Sequence, residues 1–292
     1  MYLGKYQQKL KKYKEANSSF KRAIEIDPTF CQAHICRGQV LCCLGRVNDA
    51  IESVTNALKI DNNYKDAYTA LGDIYSKIGD HNMAFINYDN SVTVDPGDKI
   101  THFNLANCMC ETDRHVLAVD RYLIAIDIDR NFPDAFYNMG ITLVKIQNPI
   151  NYTQNLWQAC EAFNRALTLK PTFKEAFLNI GITLMKLGKN HEACGKFEKA
   201  IKLDSKYKLA FLNYGIALGL LNEFEEAIDK YKSLINIDPN FKQAYNNLGM
   251  CQYKMKLYND SYYAFKKALE IDPHYIEAQN NLQIVIIKMQ KI

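Results

Sequence analysis

The groups best suited to making and breaking bonds in this 292-residue chain are its 9 cysteines and 6 histidines. Cys42 adjoins Cys43, and a single residue separates Cys108 from Cys110. Structural zinc is usually held by C-x-x-C pairs whose sulfurs converge. Neither pair has that spacing, and on a helix such close neighbours diverge, so no metal site is expected. His191 and Cys194 lie three residues apart, on one face if the segment is helical. There the imidazole could take the thiol proton and leave a thiolate nucleophile. Nothing in the sequence supplies a third group to orient that base, or donors for an oxyanion, and both residues read as surface positions. His34 stands where other segments of the chain carry an aromatic ring and reads as core packing. A glycine-rich phosphate loop, H-E-x-x-H, G-x-S-x-G and a calcium loop are all missing from the sequence. The expectation is a protein that is not an enzyme and holds no cofactor.

The totals narrow the partners. Hydrophobic residues make up 48% and charged residues 23%, an ordinary balance for a soluble chain. A net charge of +4 without a lysine-arginine block argues against nucleic acid. No run approaches the ~18 apolar residues that insert into a membrane, and the start, MYLGKYQQKLKKYKE, lacks the apolar stretch of a signal peptide. An odd number of cysteines without that signal reads as reduced thiols. The expected location is cytoplasmic, with a cilium as an alternative.

What, then, positions the side chains? One phrase recurs, as in DPNFKQAYNNLG from Asp238 and DPTFCQAHICRG from Asp27. It begins at Asp27, Asp61, Asp95, Asp129, Lys170, Asp204, Asp238 and Asp272, a period of 34 residues broken by one spacing of 41. A fixed period of this size marks stacked repeats. Each unit carries two apolar stripes at helical spacing, for example Phe211, Tyr214, Gly215 and Leu218, then Ala227, Ile228, Tyr231 and Leu234. Asp238-Pro239 closes the second helix, since proline lacks a donor and disfavours helix in the residue before it. Glycines recur inside the first helix at 38, 72, 140, 181, 215 and 249, where each costs ~1 kcal/mol against alanine. A repeated cost implies a neighbour that needs the room. Alanines at 16, 50, 84, 118, 159, 193 and 227 supply the opposing small surface in the second helix.

The 34-residue period, the aromatic–x–x–x–Gly helix, the Ala–x–x–x–aromatic helix and the closing proline resemble the tetratricopeptide repeat family over essentially the whole chain. The resemblance implies an all-α fold, a right-handed superhelical solenoid of antiparallel helix pairs with first helices lining the concave face. One array over 1–292 is expected, with repeats at 1–30, 31–64, 65–98, 99–132, 133–173, 174–207, 208–241 and 242–275, and a terminal covering helix at 276–292. The fifth repeat holds seven extra residues near 147–158, either lengthening its helices or making a longer loop. They carry the lone tryptophan, Trp157, which has two readings: packing its own insertion, or anchoring a partner. In DPGDKIT, Asp98 replaces the usual aromatic and Thr101 the usual alanine, so the third-to-fourth junction is a candidate hinge.

At 100° per residue, one stripe of each first helix points away from its partner helix. It reads Asn138-Ile141-Lys145, Asn179-Ile182-Lys186, Asn213-Ile216-Leu220, Asn247-Met250-Lys254 and Asn281-Ile284-Lys288. Asn104 extends the asparagine row, but its companions are Asn107 and Glu111, and the preceding stripes are Ala70-Asp73-Lys77 and Cys36-Gln39-Cys43. An amide can pair with any peptide backbone. Packed helices lie ~8–10 Å apart, and three extended residues span ~10 Å, so one asparagine per repeat could hold an extended peptide at every third residue. Ile141, Ile182, Ile216 and Met250 would meet apolar side chains. Lys145, Lys186 and Lys254 would favour acidic ones. Equally, the amides could satisfy neighbouring helices, the Ile/Met row could pack between first helices, and lysines complement a helix C-terminus without any ligand.

The leading expectation is a protein-protein interaction scaffold binding an extended or helical partner segment, apolar and acidic, in its groove. The asparagine row also resembles, more weakly, the peptide-holding superhelix of O-linked N-acetylglucosamine transferases. That implies a second reading, the targeting region of a larger glycosyltransferase-like enzyme. A third is a fixed part of a large assembly, ciliary or cell-cycle, contacting neighbours by its outer face and Trp157. Family members that grip acidic chaperone tails use lysine and asparagine together on the first repeat. Here the place before each row residue holds Ile35, Thr69, Phe103, Tyr137, Leu178, Leu212, Asn246 and Asn280, so that role is not expected.

Overall fold

The computed structural model describes residues 1–290, so the last two positions of the terminal helix expected at 276–292 lie outside the described residues. Among the described residues there are seventeen α-helices and no strand. They fall into two compact units, Met1–Lys145 and Ile146–Ile292. The first contains α1 (Tyr2–Lys9), α2 (Tyr13–Ile26), α3 (Cys31–Cys43), α4 (Val47–Ile60), α5 (Lys65–Lys77), α6 (His81–Val94), α7 (Lys99–Glu111), α8 (His115–Ile128) and α9 (Pro133–Lys145). The second contains α10 (Tyr152–Leu169), α11 (Lys174–Lys186), α12 (Asn190–Leu203), α13 (Lys208–Leu220), α14 (Phe224–Ile237), α15 (Lys242–Lys254), α16 (Tyr258–Ile271) and α17 (Ile276–Met289). Within each unit every helix packs on the next in chain order, and the short turns make consecutive helices antiparallel.

Local chemistry sets the helix ends. Between α3 and α4 the chain turns through Leu44, Gly45 and Arg46, with Gly45 left-handed at φ 77°. That conformation releases the chain from the first helix. The same place is held by Gly79 and Gly188, but also by Lys11, Asp113, Asn222 and Lys256 at φ 57–63°. At Lys11 and Lys256 this costs about 1–2 kcal/mol, whereas Asp113 and Asn222 are residue types that tolerate it better. At the far end, the aspartate of the recurring phrase caps its turn. One oxygen of Asp95 accepts the Gly97 N–H at 3.0 Å, and the other accepts Lys65 Nζ at 3.0 Å. Lys99–Asp129, Lys174–Asp204, Lys208–Asp238 and Lys242–Asp272 repeat this clasp. The lysine holds each of these five carboxyls below the usual carboxylate range. In the fifth repeat, Pro133 and Lys170 take the lysine and aspartate places, residue types that cannot form the pair.

The core is the glycine-aromatic fit. All seven recurrent alanines of the second helices are fully buried, as are Phe20, Phe163, Phe197, Tyr231 and Phe265 beside them. A Cβ built on Gly72, Gly181, Gly215 or Gly249 would come within 2.4–2.8 Å of the facing ring. The seven extra residues of the fifth repeat divide in two: α10 is 18 residues long against 14 for the other second helices, and the connection before it, residues 146–151, is longer than the usual turn. At the expected hinge, hydrogen bonds replace apolar contact. Thr69 Oγ1 lies 2.8 Å from Ser91 Oγ and 3.3 Å from Thr101 Oγ1, and the Thr101 hydroxyl donates to Asp98 at 2.7 Å. Ser91 and Thr101 are fully buried, so the junction is filled by polar groups that satisfy one another.

Candidate functional site

In the second unit α11, α13, α15 and α17 pack one on the next, and this places their outward stripes side by side. Asn179, Asn213, Asn247 and Asn281 are half-buried, as are Ile182 and Ile216, while Met250, Lys186 and Lys254 are exposed. The amides are thus reachable, yet each already has a protein partner. Asn213 Nδ2 donates to Leu209 O at 2.8 Å, one turn back. Asn281 Nδ2 donates to Asn246 Oδ1 at 2.9 Å, and Asn247 Oδ1 accepts from Asn246 Nδ2 at 3.4 Å. Asn179 is also engaged. Four candidate residues converge: Ile216, Asn247, Met250 and Lys254 line one open recess of about 400 Å³ with Leu220, Phe224, Tyr231 and Cys251. Its wall is apolar apart from the amide, the buried Tyr231 and the ammonium at its edge. An apolar side chain entering it would shed water, and a carboxylate beside it would meet Lys254.

The stripe in the first unit is chemically different. Asn104 and Asn138 are half-buried there, Ile141 is half-buried and Lys145 exposed. Asn104 Nδ2 donates to Asp73 Oδ1 at 3.3 Å, and the Tyr88 hydroxyl donates to the same oxygen at 2.7 Å. One repeat on, Asn138 Nδ2 and the Tyr122 hydroxyl donate to Asn107 Oδ1 at 2.9 and 2.6 Å. Tyr88, Tyr122, Asp73 and Asn107 are absent from the sequence-derived candidates. Their signal was legible: tyrosine instead of phenylalanine at the buried ring, paired with a polar residue where later repeats carry isoleucine. Asp73 opens to solvent, but the surrounding protein strips its carboxylate of water and raises its pKa; the Tyr88 bond offsets this only in part. No lysine or arginine contributes to its balance.

The remaining chemistry-capable groups are dispersed. Trp157, 45% exposed, stands on the lengthened α10 with Lys189 Nζ 4.8 Å from its ring centroid, an exposed cation-π pair. Cys108 Sγ donates to His81 O at 2.9 Å, whereas Cys110 Sγ lies 3.1 Å from Thr142 Oγ1, so the two sulfurs do diverge. Burial, helped by Glu223, pushes the Cys194 thiol up to about 11, which opposes a thiolate beside His191. His34 is buried, with Nε2 3.0 Å from Pro28 O. Among the described residues no three His, Cys, Asp or Glu side chains gather as metal ligands, and no helix is long and apolar enough to cross a membrane.

Paired helices at a 34-residue period, joined through glycine-aromatic seats, define a repeat protein of the kind that scaffolds protein interactions. Sequence profiles described as tetratricopeptide repeat match residues 3–30, 19–52, 65–98, 174–207 and 243–275, and one described as TPR repeat matches 220–256. Together they cover more than half of the chain, which belongs to the tetratricopeptide repeat family. Comparison with curated protein sequences found no match. Among solved structures, the C-terminal part of a TPR repeat-containing protein from Cytophaga hutchinsonii is similar at 16% identity and a TM-score of 0.69, covering 85% of this chain and 99% of that one. YrrB, described as a TPR protein with an unusual peptide-binding site, is similar at 21% identity and a TM-score of 0.55, covering 66% of this chain and 96% of its own. MamA is similar at 25% identity and a TM-score of 0.53, covering 58% and 95%. The likeness in each case is one of fold.

Proposed function

We propose that the protein is a non-catalytic scaffold whose first helices seat an extended or helical segment of a partner protein, apolar and acidic in character. The stripe of the second unit, Asn179, Asn213 and Asn247 with Ile182, Ile216 and Met250, is its principal seat. The observation that carries this reading is the recess holding Ile216, Asn247, Met250 and Lys254 together. An apolar hollow bordered by one amide and one ammonium suits a segment in which hydrophobic and acidic residues alternate. A peptide site in YrrB, a relative in fold, is consistent with it.

The test uses labelled decapeptides of alternating Leu and Glu, or alternating Leu and Lys, titrated against the whole protein. The Leu/Glu peptide is expected to bind more tightly. Asn213→Ala with Asn247→Ala should weaken it by more than ~1 kcal/mol, roughly fivefold, the usual worth of lost hydrogen bonds. Helicity by circular dichroism should stay unchanged. Equal binding of both peptides, or an asparagine double variant that binds as tightly as wild type, defeats the proposal.

A further inference from the structure

Two polar cradles of the same build lie one repeat apart on the stripe of the first unit. In each, a buried tyrosine hydroxyl of the second helix and an asparagine amide of the next first helix donate to one oxygen. On α7 that oxygen belongs to the amide of Asn107. On α5 it belongs to the carboxylate of Asp73. Asparagine and aspartate are alike in shape, and the neutral residue accepts both hydrogen bonds, so the cradle itself does not require a charge. From α3 to α17, Asp73 is the one ionisable residue at the middle place of the stripe.

Among the described residues no lysine or arginine pairs with that charge. Both donors of the cradle go to Asp73 Oδ1, and Oδ2 accepts no hydrogen bond from the described residues. Lys77, one turn along α5, holds its ammonium 4.0 Å from Cys43 Sγ on α3. Arg37 turns to Asn17, Lys65 to Asp95 and Lys99 to Asp129. Loss of water around the carboxylate raises its pKa, so ionisation there works against the fold. An opposite charge arriving from outside would relieve that penalty. The wider field favours the same visitor: aspartate and glutamate outnumber lysine and arginine from Asp27 to Lys145, and the reverse holds from Ile146 onward. A metal ion is poorly served, since no three potential ligands gather among the described residues. A guanidinium suits the place better than an ammonium, because it is more weakly hydrated and sheds water more readily beside a partly dehydrated carboxylate. We infer that the stripe around Asp73, where α5 meets Asn104 of α7, is a second seat that takes an arginine side chain of a partner protein on the free carboxylate oxygen. It lies apart from the second-unit stripe and does not rest on the reading given for that stripe.

The probe is a labelled peptide of three Ala-Ala-Arg triplets, with glutamine-for-arginine and lysine-for-arginine counterparts, read by fluorescence anisotropy against the whole protein at low salt. The arginine peptide should bind about tenfold more tightly than the glutamine peptide and about threefold more tightly than the lysine peptide. Asp73→Asn copies the neutral cradle of α7 and should weaken the arginine peptide about fivefold, with helicity retained and a loss that shrinks in added salt. Asp120→Asn removes the same charge from an exposed place on α8 and should change affinity by less than about twofold. Asn107→Asp builds a second charged cradle and should tighten binding about threefold. These probes and variants leave the second-unit stripe untouched, so failure here is distinguishable from failure of the Leu/Glu peptide there. The inference is overturned if Asp73→Asn keeps wild-type affinity, if the lysine peptide binds as tightly as the arginine one, or if Asn107→Asp brings no gain. It is equally overturned if Asp120→Asn weakens binding as much as Asp73→Asn does, because general acidity would then be the cause.

Discussion

Gly215 and Gly219 lie one turn apart in α13, and replacing each by alanine should move stability in opposite directions. A Cβ on Gly215 would stand 2.5 Å from Tyr231 Cε1, 2.6 Å from Cζ and 3.1 Å from Cδ1. Ordinary carbon contacts begin near ~3.5 Å, so two ring atoms must retreat by about 1 Å. Tyr231 is 2% exposed and cannot swing away. Overpacking of this kind costs ~1–3 kcal/mol, and an enclosed ring puts the cost near the upper end. Alanine returns ~1 kcal/mol of helix propensity, leaving a net loss of about 2 kcal/mol. At Gly219 a Cβ meets nothing within 4 Å, so the propensity gain of ~1 kcal/mol stands alone. Urea unfolding followed by Trp157 fluorescence reports on the second unit, which holds both glycines. With a slope of ~2 kcal/mol per molar, the midpoint should fall by about 1 M for Gly215→Ala and rise by about 0.5 M for Gly219→Ala. A Gly215→Ala midpoint at or above wild type would refute the account of why glycine recurs in the first helices.

Two further outcomes can be measured. The five clasped aspartates have depressed pKa values and Asp73 a raised one, so they act oppositely on stability. Clasp stabilisation is present above the unfolded carboxylate pKa and disappears as pH falls through the lower folded values. Asp73 binds its proton more tightly when folded, so stability falls as pH rises from the unfolded value through its raised one. Asp73→Asn keeps the acceptor for Tyr88 and Asn104 and should remove that second slope from denaturation measured at a series of pH values; an unaltered profile would contradict it. Lys256→Gly should raise the urea midpoint of the second unit by the equivalent of ~1 kcal/mol, because a left-handed lysine becomes glycine; no change there would show the turn to be unstrained.

Much of the architecture is legible in the sequence because a 34-residue period repeats the same contacts. Gly215 facing Tyr231 is one instance of a seat written many times, and the turn at Asp238-Pro239 is another. Side-chain pairing is less legible. Lys65 meets Asp95 across 30 residues, a separation no helical periodicity flags. The asparagine row was readable as a row, but which amides turn to neighbours was not: Asn104 spends a donor on Asp73, while Asn213 folds back on its own helix. The third-to-fourth junction reads as a hinge when only apolar residues are counted. That Thr69, Ser91 and Thr101 bring hydroxyls together there was not legible in the sequence. The narrower likeness to glycosyltransferase superhelices rests on the asparagines alone.

The lysine-aspartate clasps have a bearing on how such a chain can change length. Lysine and aspartate of each pair belong to the same 34-residue stretch, as Lys208 and Asp238 do, so each of the five clasped modules fastens itself. Excising or duplicating one whole period leaves the clasps of the remaining modules intact, and only the side-chain pairs that cross between modules, such as Asn104–Asp73 and Asn138–Asn107, change partner.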